Sequence, residues 1–352
     1  MSHRPQTPLT AGLPGPWTAI AVVVALALYP LTLHAAGQDF YISLGSRVLI
    51  MALAASALNL ALGYGGMISL GHAAFLGVGG YAVAVLTQNS VTAAGLVLPV
   101  AAAAAAGAAF LIGAVSLRTR GVYFIMITLA FAQVFYYLAI SLPRFGGDDG
   151  LPLAARSQVP GLALEGDLTF YYCVLFVVGL AFVLLYRLAA SRFGRALVAA
   201  RENERRMAAI GYPVYRLRLA AFTLSGALTG LAGALLANLN TGVTPHLLTW
   251  HQSGILIVMV ILGGAGYFWG GLIGAALFLA LEEVISDHTE HWNLFLGLLL
   301  LFIVLAAPDG VMSLRQRLGA LLDRKKAAPV RRGQDDEQQQ QAEEQVPVLG
   351  VV

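Results

Sequence analysis

Long apolar stretches alternate with short polar ones along most of this chain. Most of the apolar stretches run for about 20 residues, the length that a helix needs to cross the hydrocarbon core of a bilayer. They lack the short alternating segments of a membrane barrel. We therefore predict an all-α polytopic membrane protein with about ten membrane-spanning helices. The predicted spans cover approximately residues 17–35, 43–62, 63–86, 91–115, 122–142, 169–188, 220–239, 253–262, 272–286 and 292–307.

Composition and charge placement agree with this topology. Hydrophobic residues make up 58% of the 352 residues and charged residues only 11%, against about 25% in soluble domains. With ten spans, the arginine-rich clusters fall on one side of the membrane and the acidic loops on the other, as the positive-inside rule requires. Both termini are then expected in the cytoplasm. The single cysteine, Cys173, excludes an intrachain disulfide and gives no signature of a metal site.

The two ends of the chain differ from its middle. Residues 1–16 contain four prolines and are expected to form a flexible tail. Residues 17–307 form the predicted transmembrane domain, and residues 308–352 form a cytoplasmic, largely disordered tail. The first span is open to two interpretations, a retained membrane anchor and a cleaved signal peptide. Its length and the spans that follow it favour the anchor.

Two glycine clusters suggest an internal repeat. Glycine lets helices approach closely and lets a helix break. Paired glycine-interrupted segments in two halves of a chain indicate a transport pathway. We predict two pseudo-repeated halves, although coincidence in a chain with 39 glycines is the other explanation. The matching glycines are Gly63, Gly66 and Gly71 in one cluster and Gly263, Gly266 and Gly271 in the other.

A charged segment interrupts the apolar pattern at residues 191–217. From Arg187 to Arg218 there are eight arginines and two glutamates. A charge near the bilayer centre costs about 3 kcal/mol or more, so this segment must lie in water, and its arginines place it on the cytoplasmic side. The residues alone leave two interpretations, a docking surface for another protein and a solvated loop that only sets topology.

Five motifs, in the order found in one known family, occur within about residues 40–312. Together they resemble the LivM-type permease subunits of high-affinity branched-chain amino acid ABC importers, the LivHM permease family. The resemblance implies a fold like that of type II ABC importers. The motifs are GYGGMISLGHAAFLGVGGYAVAVL at 63–86, LRTRGVYFIMITLAFAQVFYYL at 117–138, FGGDDGLP at 145–152, FGRALVAARENERRMAAIGYPVYRLRLAAFTLSGALTGLAGALLA at 193–237 and MVILGGAGYFWGGLIGAALFLALEEVI at 259–285.

The resemblance also implies that the chain works with other proteins. The expected partners are a LivH-like second permease, two cytoplasmic ABC ATPase subunits and a periplasmic or lipid-anchored substrate-binding protein. ATP and magnesium would be bound by the ATPases, with no cofactor on this chain, which contains no GxxxxGK[ST] phosphate loop. The implied location is the bacterial inner membrane, with lipid around the chain and no nucleic-acid partner. The substrate would be leucine, isoleucine or valine, or a related small polar solute.

Residues 199–211 resemble the coupling loop of ABC importer permeases, which docks on an ATPase. A short helix ended by a glycine would fit a groove on that partner, with small residues allowing close approach and charged residues supplying ion pairs. The general importer pattern has Glu-Ala-Ala where this chain has Arg205, Arg206 and Met207. The predicted coupling residues are Ala199, Ala200, Arg201, Glu202, Glu204, Arg205, Arg206, Ala208, Ala209 and Gly211.

Polar residues inside the predicted spans are candidates for the translocation path. An intramembrane histidine is a functional candidate by default, and His72 is the one histidine clearly within a span. A hydrogen-bonded structural histidine is the other interpretation. Asn59, Ser69 and Gln133 carry the same two interpretations, path residues and hydrogen bonds inside the bundle.

Two acidic sites lie toward the outer side. Asp148 and Asp149, in the loop after span five, are candidates for docking the binding protein through ion pairs, or else turn residues in favoured positions. Glu282 and Glu283 lie near the outer end of span nine. That place favours an interfacial position over a proton relay.

Three classes of function are open to a membrane protein of this kind. An ATP-driven importer permease agrees with the topology and the resemblance. A secondary transporter driven by an ion gradient would want an acid in mid-membrane, and none is clearly placed there. A membrane-embedded enzyme would need a nucleophile–base set or an acid–base cluster, and the spans contain no such set, so no catalytic residue is predicted.

Overall fold

The computed structural model describes residues 16–35, 39–158, 166–288, 291, 294–295, 297–298, 300–301, 305 and 310–312. Helices dominate these residues, and a π-helical turn, Leu60–Tyr64, extends the second helix. Two short strands, β1 (Leu151–Pro152) and β2 (Gly242–Val243), form an antiparallel pair. The helices are α1 (Pro16–Ala35), α2 (Asp39–Asn59), α3 (His72–Gln88), α4 (Ala94–Ser116), α5 (Val122–Ser141), α6 (Asp167–Ala190), α7 (Arg192–Glu202), α8 (Glu204–Ala209), α9 (Val214–Asn240), α10 (Trp250–Gly263) and α11 (Gly270–Ser286).

The helical character and the membrane-spanning helices are confirmed. Five described helices are long and apolar enough to cross a bilayer: Phe40–Tyr64, Ala94–Ser116, Val122–Ser141, Asp167–Ala190 and Val214–Asn240. The first nine predicted spans overlap α1 to α6 and α9 to α11. The tenth, 292–307, lies mostly outside the described residues, as do the tails 1–15 and 313–352. The count of ten spans therefore stays a prediction.

Helices α2 and α9 form the centre of the bundle. Most side chains of α2 between Leu49 and Leu58 are completely buried. Glycines let α9 approach α3 closely, because a Cβ at Gly79 would lie 1.9 Å from the carbonyl oxygen of Gly230. A Cβ at Gly233 would lie 1.8 Å from the carbonyl oxygen of Leu76. Backbones in such contact fix the position of α3 against α9.

The loops meet in two groups, at opposite ends of the bundle. At one end β1, which follows α5, pairs with β2, which follows α9, in the register Leu151↔Val243. The loop before α4 joins this end, because Gln158 accepts a 2.8 Å hydrogen bond from the Ala94 amide. The turns after α2, α4 and α10 meet the α7–α8 segment at the other end, through contacts described below. This grouping agrees with the predicted alternation of inner and outer loops for α2 to α11.

Both glycine clusters are helix breaks. The chain between the π-helical turn and α3 has Gly66 at φ +69°, and the chain between α10 and α11 has Gly264 at +116° and Gly266 at +88°. These left-handed conformations favour glycine. The sequence predicts a span beginning at Gly63, whereas α3 begins only at His72. The break occupies the first turns of that predicted span because its backbone leaves the helical region at Gly66.

Candidate functional site

The arginine-rich segment folds as two short helices at the end of the bundle that carries the glycine breaks. Ser191 caps α7 by accepting hydrogen bonds from the amides of Phe193 (3.2 Å) and Gly194 (3.4 Å). Asn203 separates the helices and caps α8 by accepting a 2.9 Å hydrogen bond from the Arg206 amide. Short polar side chains at these positions satisfy amides that lack a partner within the helix.

Helix α8 ends at a glycine, as predicted. Gly211 has a φ of +83°. Its amide donates to the Ala208 carbonyl oxygen at 3.0 Å, and the Tyr212 amide donates to that of Met207 at 3.1 Å. This pair of hydrogen bonds is the Schellman motif, in which a left-handed glycine turns the chain out of a helix. The segment therefore has a defined shape rather than that of an open loop.

One face of this segment packs on the chain itself. Ala196, Ala200, Met207 and Val214 form a small buried cluster. Ala200 is completely buried because the bundle covers it, and its role in the close approach of a partner stays a prediction. Ala199 is partly buried. Seven other predicted coupling residues are exposed: Arg201, Glu202, Arg205, Arg206, Ala208, Ala209 and Gly211.

Glu204 joins this segment to two other parts of the bundle. Its Oε1 accepts a hydrogen bond from Arg120 Nη2 at 2.9 Å, and its Oε2 accepts one from Arg218 Nη1 at 2.9 Å. Arg120 lies in the turn between α4 and α5, and Arg218 lies on α9. Both carboxylate oxygens are therefore engaged within the chain. In this structure its charge orients α8 on the bundle, and its role in orienting a partner stays a prediction.

Arg201 joins the segment to both glycine breaks. Its Nη1 donates a hydrogen bond to the carbonyl oxygen of Gly63. Its methylene groups lie over Gly66, where a Cβ would be 2.9 Å from Arg201 Cγ. A Cβ at Gly266, in the other break, would be 3.6 Å from Arg201 Nη1. One side chain of α7 thus reaches the point where the two breaks meet.

Asn59, a predicted path residue, holds the two breaks together. Its Nδ2 donates to the Tyr267 carbonyl oxygen at 2.8 Å, and its Oδ1 accepts from the Gly266 amide at 2.9 Å. The side chain is 2% exposed. Both ends of the amide are therefore satisfied by backbone atoms of the chain between α10 and α11, which supports the structural interpretation of this residue.

His72 and Ser69 are also held inside the bundle. His72 Nε2 lies 2.9 Å from Ser225 Oγ, and Ser225 donates to the Ala57 carbonyl oxygen at 2.5 Å. Because the one hydroxyl proton of Ser225 is used in that second bond, His72 Nε2 must carry the proton of the first. Ser69 is buried and accepts a 3.1 Å hydrogen bond from the Gly71 amide. Among the four path candidates, Gln133 on α5 is only partly buried.

The predicted docking acids lie at the opposite end of the bundle. Asp148 and Asp149 are exposed on a 3-10 turn, Gly147–Asp149. Gly150 follows with a φ of +80°, and a Cβ there would lie 2.3 Å from the Val243 carbonyl oxygen. The turn is thus held rigidly beside β2 while its two carboxylates face solvent.

Two residues of interest were missed in the sequence. Arg47 of α2 lies 3.4 Å from Glu282 of α11, and their side chains are 46% and 21% exposed. A lone arginine at the fifth residue of the predicted apolar span 43–62 was the available signal. Ser225 gave no signal in the sequence, because a serine in an apolar helix has no distinctive pattern.

The comparisons with known proteins give the family. A family model described as "Branched-chain amino acid transport system / permease component" matches residues 40–305. The chain belongs to this family. The match runs from the start of α2 through α11, so it includes both glycine breaks and the segment of α7 and α8. No solved structure matches the chain.

Named relatives agree with the family. The chain is 29% identical over 317 residues to the high-affinity branched-chain amino acid transport system permease protein LivM of Escherichia coli strain K12, covering 83% of this chain and 74% of the relative. It is 28% identical over 201 residues to the autoinducer 2 import system permease protein LsrC of Shigella flexneri, covering 54% and 57%. It is 33% identical over 123 residues to the probable LivH permease of Methanocaldococcus jannaschii, covering 34% and 36%. The chain is a multi-pass membrane permease subunit of an ABC importer, and not an enzyme.

Proposed function

We infer that this permease moves branched-chain amino acids, or a related small polar solute, into bacterial cells across the inner membrane. Separate ATPases that dock on residues 199–211 would drive the transport. The observation that carries the inference is the pair of links made by Glu204 and Arg201, which tie an exposed segment to α9, to the α4–α5 turn and to both glycine breaks. Such a segment can pass on a force that a partner applies to its outer face.

The outer face of α8 has the chemistry of a docking surface. Ala208 and Ala209 are exposed and small, and Arg205 and Arg206 beside them are exposed and charged. Ile210 follows with 65% of its surface exposed. A large aliphatic side chain left in water, with small neighbours and charges at the rim, suits a helix that docks in a groove. ATP and magnesium would then be bound by the partner ATPases.

Arginine placement supports the orientation. The end of the bundle with the glycine breaks carries Arg120, Arg201 and Arg218, whereas the end with β1 and β2 carries the exposed Asp148 and Asp149. The positive-inside rule assigns the first end to the cytoplasm. With ten spans and two pseudo-repeated halves, both termini would lie in the cytoplasm as well.

The substrate proposal rests on the relatives and on the interior of the bundle. The LivM relative is named for branched-chain amino acids and the LsrC relative for autoinducer 2, so the class of small polar solutes is broader than one amino acid. Asn59, Ser69 and His72 have polar atoms engaged within the chain. Selectivity would then reside largely in a periplasmic or lipid-anchored binding protein that docks at Asp148 and Asp149. A LivH-like permease would complete the path, with Gln133 as a candidate lining residue.

Reconstitution tests the proposal directly. The chain is co-purified with a LivH-like permease and two ATPases from its own organism and placed in proteoliposomes with the binding protein. We expect uptake of labelled leucine, isoleucine or valine that requires both ATP and the binding protein. An ATPase variant that binds ATP without hydrolysing it is the control and should give no uptake.

An ion-coupled secondary transporter is the alternative that this experiment separates. The ion pair between Arg47 and Glu282 places an acid between two packed helices, which is the observation in its favour. Uptake by this chain alone, driven by a proton gradient and lost in Glu282→Gln, would contradict the importer and support the alternative.

A further inference from the structure

Arg201 is the residue of the α7–α8 segment that reaches the two glycine breaks. It lies in the last turn of α7, and its guanidinium donates to the Gly63 carbonyl oxygen. That oxygen belongs to the π-helical turn at the end of α2. Carbonyl groups at a helix C-terminus lack partners within the helix and carry partial negative charge, so a cation is well placed there. The contact is therefore both a hydrogen bond and a favourable charge interaction.

The two glycine breaks are held together at the point that the Arg201 side chain reaches. A Cβ at Gly63 would lie 2.4 Å from the Gly266 amide nitrogen, so the two backbones are in direct contact. Asn59 adds two hydrogen bonds between the end of α2 and the chain before α11. A displacement of Gly63 therefore cannot occur without a displacement of Gly266, or without the loss of these bonds.

Glu204, which makes the second link between the α7–α8 segment and the bundle, contacts other helices than Arg201 does. Glu204 is paired with Arg120, in the turn between α4 and α5, and with Arg218 on α9. Helix α9 is continuous from Val214 to Asn240. Glu204 thus holds the segment on an uninterrupted helix, whereas Arg201 holds it on the interrupted ones.

We propose that Arg201 is the positioning residue that passes movement of the α7–α8 segment to both glycine breaks at once. The cytoplasmic ends of the α2–α3 and α10–α11 pairs then move together when the segment moves. The inference rests on the proposed function, because it takes the ATPase as the source of that movement. One guanidinium group would therefore pass the movement to both halves of the bundle.

The test uses the full complex with its ATPases, second permease and binding protein. Arg201→Met keeps the methylene packing over Gly66 and removes the guanidinium. Arg192→Met, at an exposed position of α7 outside the coupling residues, is the matched control. We expect the solute moved per ATP hydrolysed by the assembled Arg201→Met complex to fall about tenfold, a usual size for coupling between sites. The control should transport as the parent does.

A second readout separates transmission from simple support of the fold. Exposed positions Ile68 and Ala265, one in each break, are changed to cysteine singly in a Cys173→Ala background. In the parent complex, the rate of labelling by a hydrophilic maleimide should change with ATP at both positions. In the assembled Arg201→Met complex this ATP-dependent change should be lost at both positions. A residue that only supports the fold would lower the yield and leave the ATP response intact.

The measured outcomes distinguish failure of this inference from failure of the proposed function. Normal uptake per ATP in Arg201→Met, or a parent response at only one of the two positions, overturns the inference and leaves the proposed function standing. If the parent chain does not bind the ATPases, the proposed function fails and this inference fails with it. Should Arg201→Met not assemble, the same measurements apply to Arg201→Gln, whose shorter side chain ends near the position of Arg201 Nε and does not reach the Gly63 carbonyl as Nη1 does, so the same losses are expected.

Discussion

Arg47 and Glu282 lie 3.4 Å apart although they belong to different helices, α2 and α11. The contact is a single hydrogen bond from Arg47 Nη2 to Glu282 Oε1. Both residues stand within predominantly apolar helices, where charges are almost always paired or face a polar cavity. The pair therefore ties two of the closely packed helices together and keeps each charge compensated.

A double-mutant cycle tests this pair. Arg47→Met and Glu282→Gln singly should each destabilise the detergent-solubilised chain, because each leaves a charge without its partner. The double variant should be more stable than the sum of the single effects implies, with a coupling energy of about 1 kcal/mol, since both side chains are partly exposed. Thermal unfolding of the four proteins measures the difference. Strictly additive effects would show that the two charges do not interact.

Glu202 and Glu204 should behave differently despite their proximity. Glu202 is exposed, so Glu202→Arg should leave the fold unchanged and weaken ATPase capture by about tenfold, as for a charge at an interface. Glu204→Gln removes the charge that Arg120 and Arg218 share. It should increase the proteolysis of α8 by trypsin before any partner is added. Co-purification and limited proteolysis, done on both variants, separate the two effects.

Equal behaviour of these two variants would contradict the assignment. In particular, loss of ATPase capture in Glu204→Gln with no change in proteolysis would indicate that Glu204 contacts the ATPase directly.

Arg218→Met should also expose α8 to trypsin more than Arg120→Met does, because Arg218 is 20% exposed and Arg120 is 74% exposed. An ion pair in water contributes little.

Removal of the Ser225 hydroxyl should destabilise the bundle. Ser225→Ala leaves the buried Nε2–H of His72 and the Ala57 carbonyl oxygen without this partner. An unsatisfied buried polar group costs about 1–3 kcal/mol. Ser141→Ala, at the exposed end of α5, is the control and should change stability by less than about 0.5 kcal/mol. Transport that fails in Ser225→Ala without any loss of stability would instead indicate a path role.

Glycine contacts between α3 and α9 give a prediction with an internal control. A Cβ at Gly79 would lie 1.9 Å from the Gly230 carbonyl oxygen, so Gly79→Ala forces two backbones apart. We expect a loss of stability above about 2 kcal/mol, at the upper end of overpacking costs. Gly107→Ala on α4 meets no atom within 4 Å and should be neutral or slightly stabilising, because alanine favours the helix. Thermal unfolding compares the two, and similar midpoints would contradict the close approach.

Local patterns explain why much of the fold was predictable. The limits of α5 and α6 differ from the predicted spans by no more than two residues, because hydrophobic length determines where a helix can cross a bilayer. The glycine turn at Gly211 that follows α8 was predictable for a similar reason, since a left-handed turn there favours glycine. The complete burial of Ala200 was not predictable, because the sequence does not show which side of a short helix the chain itself covers.

The sequence by itself determined that this is a helical membrane protein, which glycine clusters can interrupt its helices and which loops carry positive charge, since these depend on neighbouring residues. The tertiary structure alone decided which polar groups meet. Arg201 and Gly63 are 138 positions apart, His72 and Ser225 are 153 apart, and Arg47 and Glu282 are 235 apart. Such contacts depend on how each helix is rotated and tilted against the others, and that arrangement follows from the packing of the whole bundle.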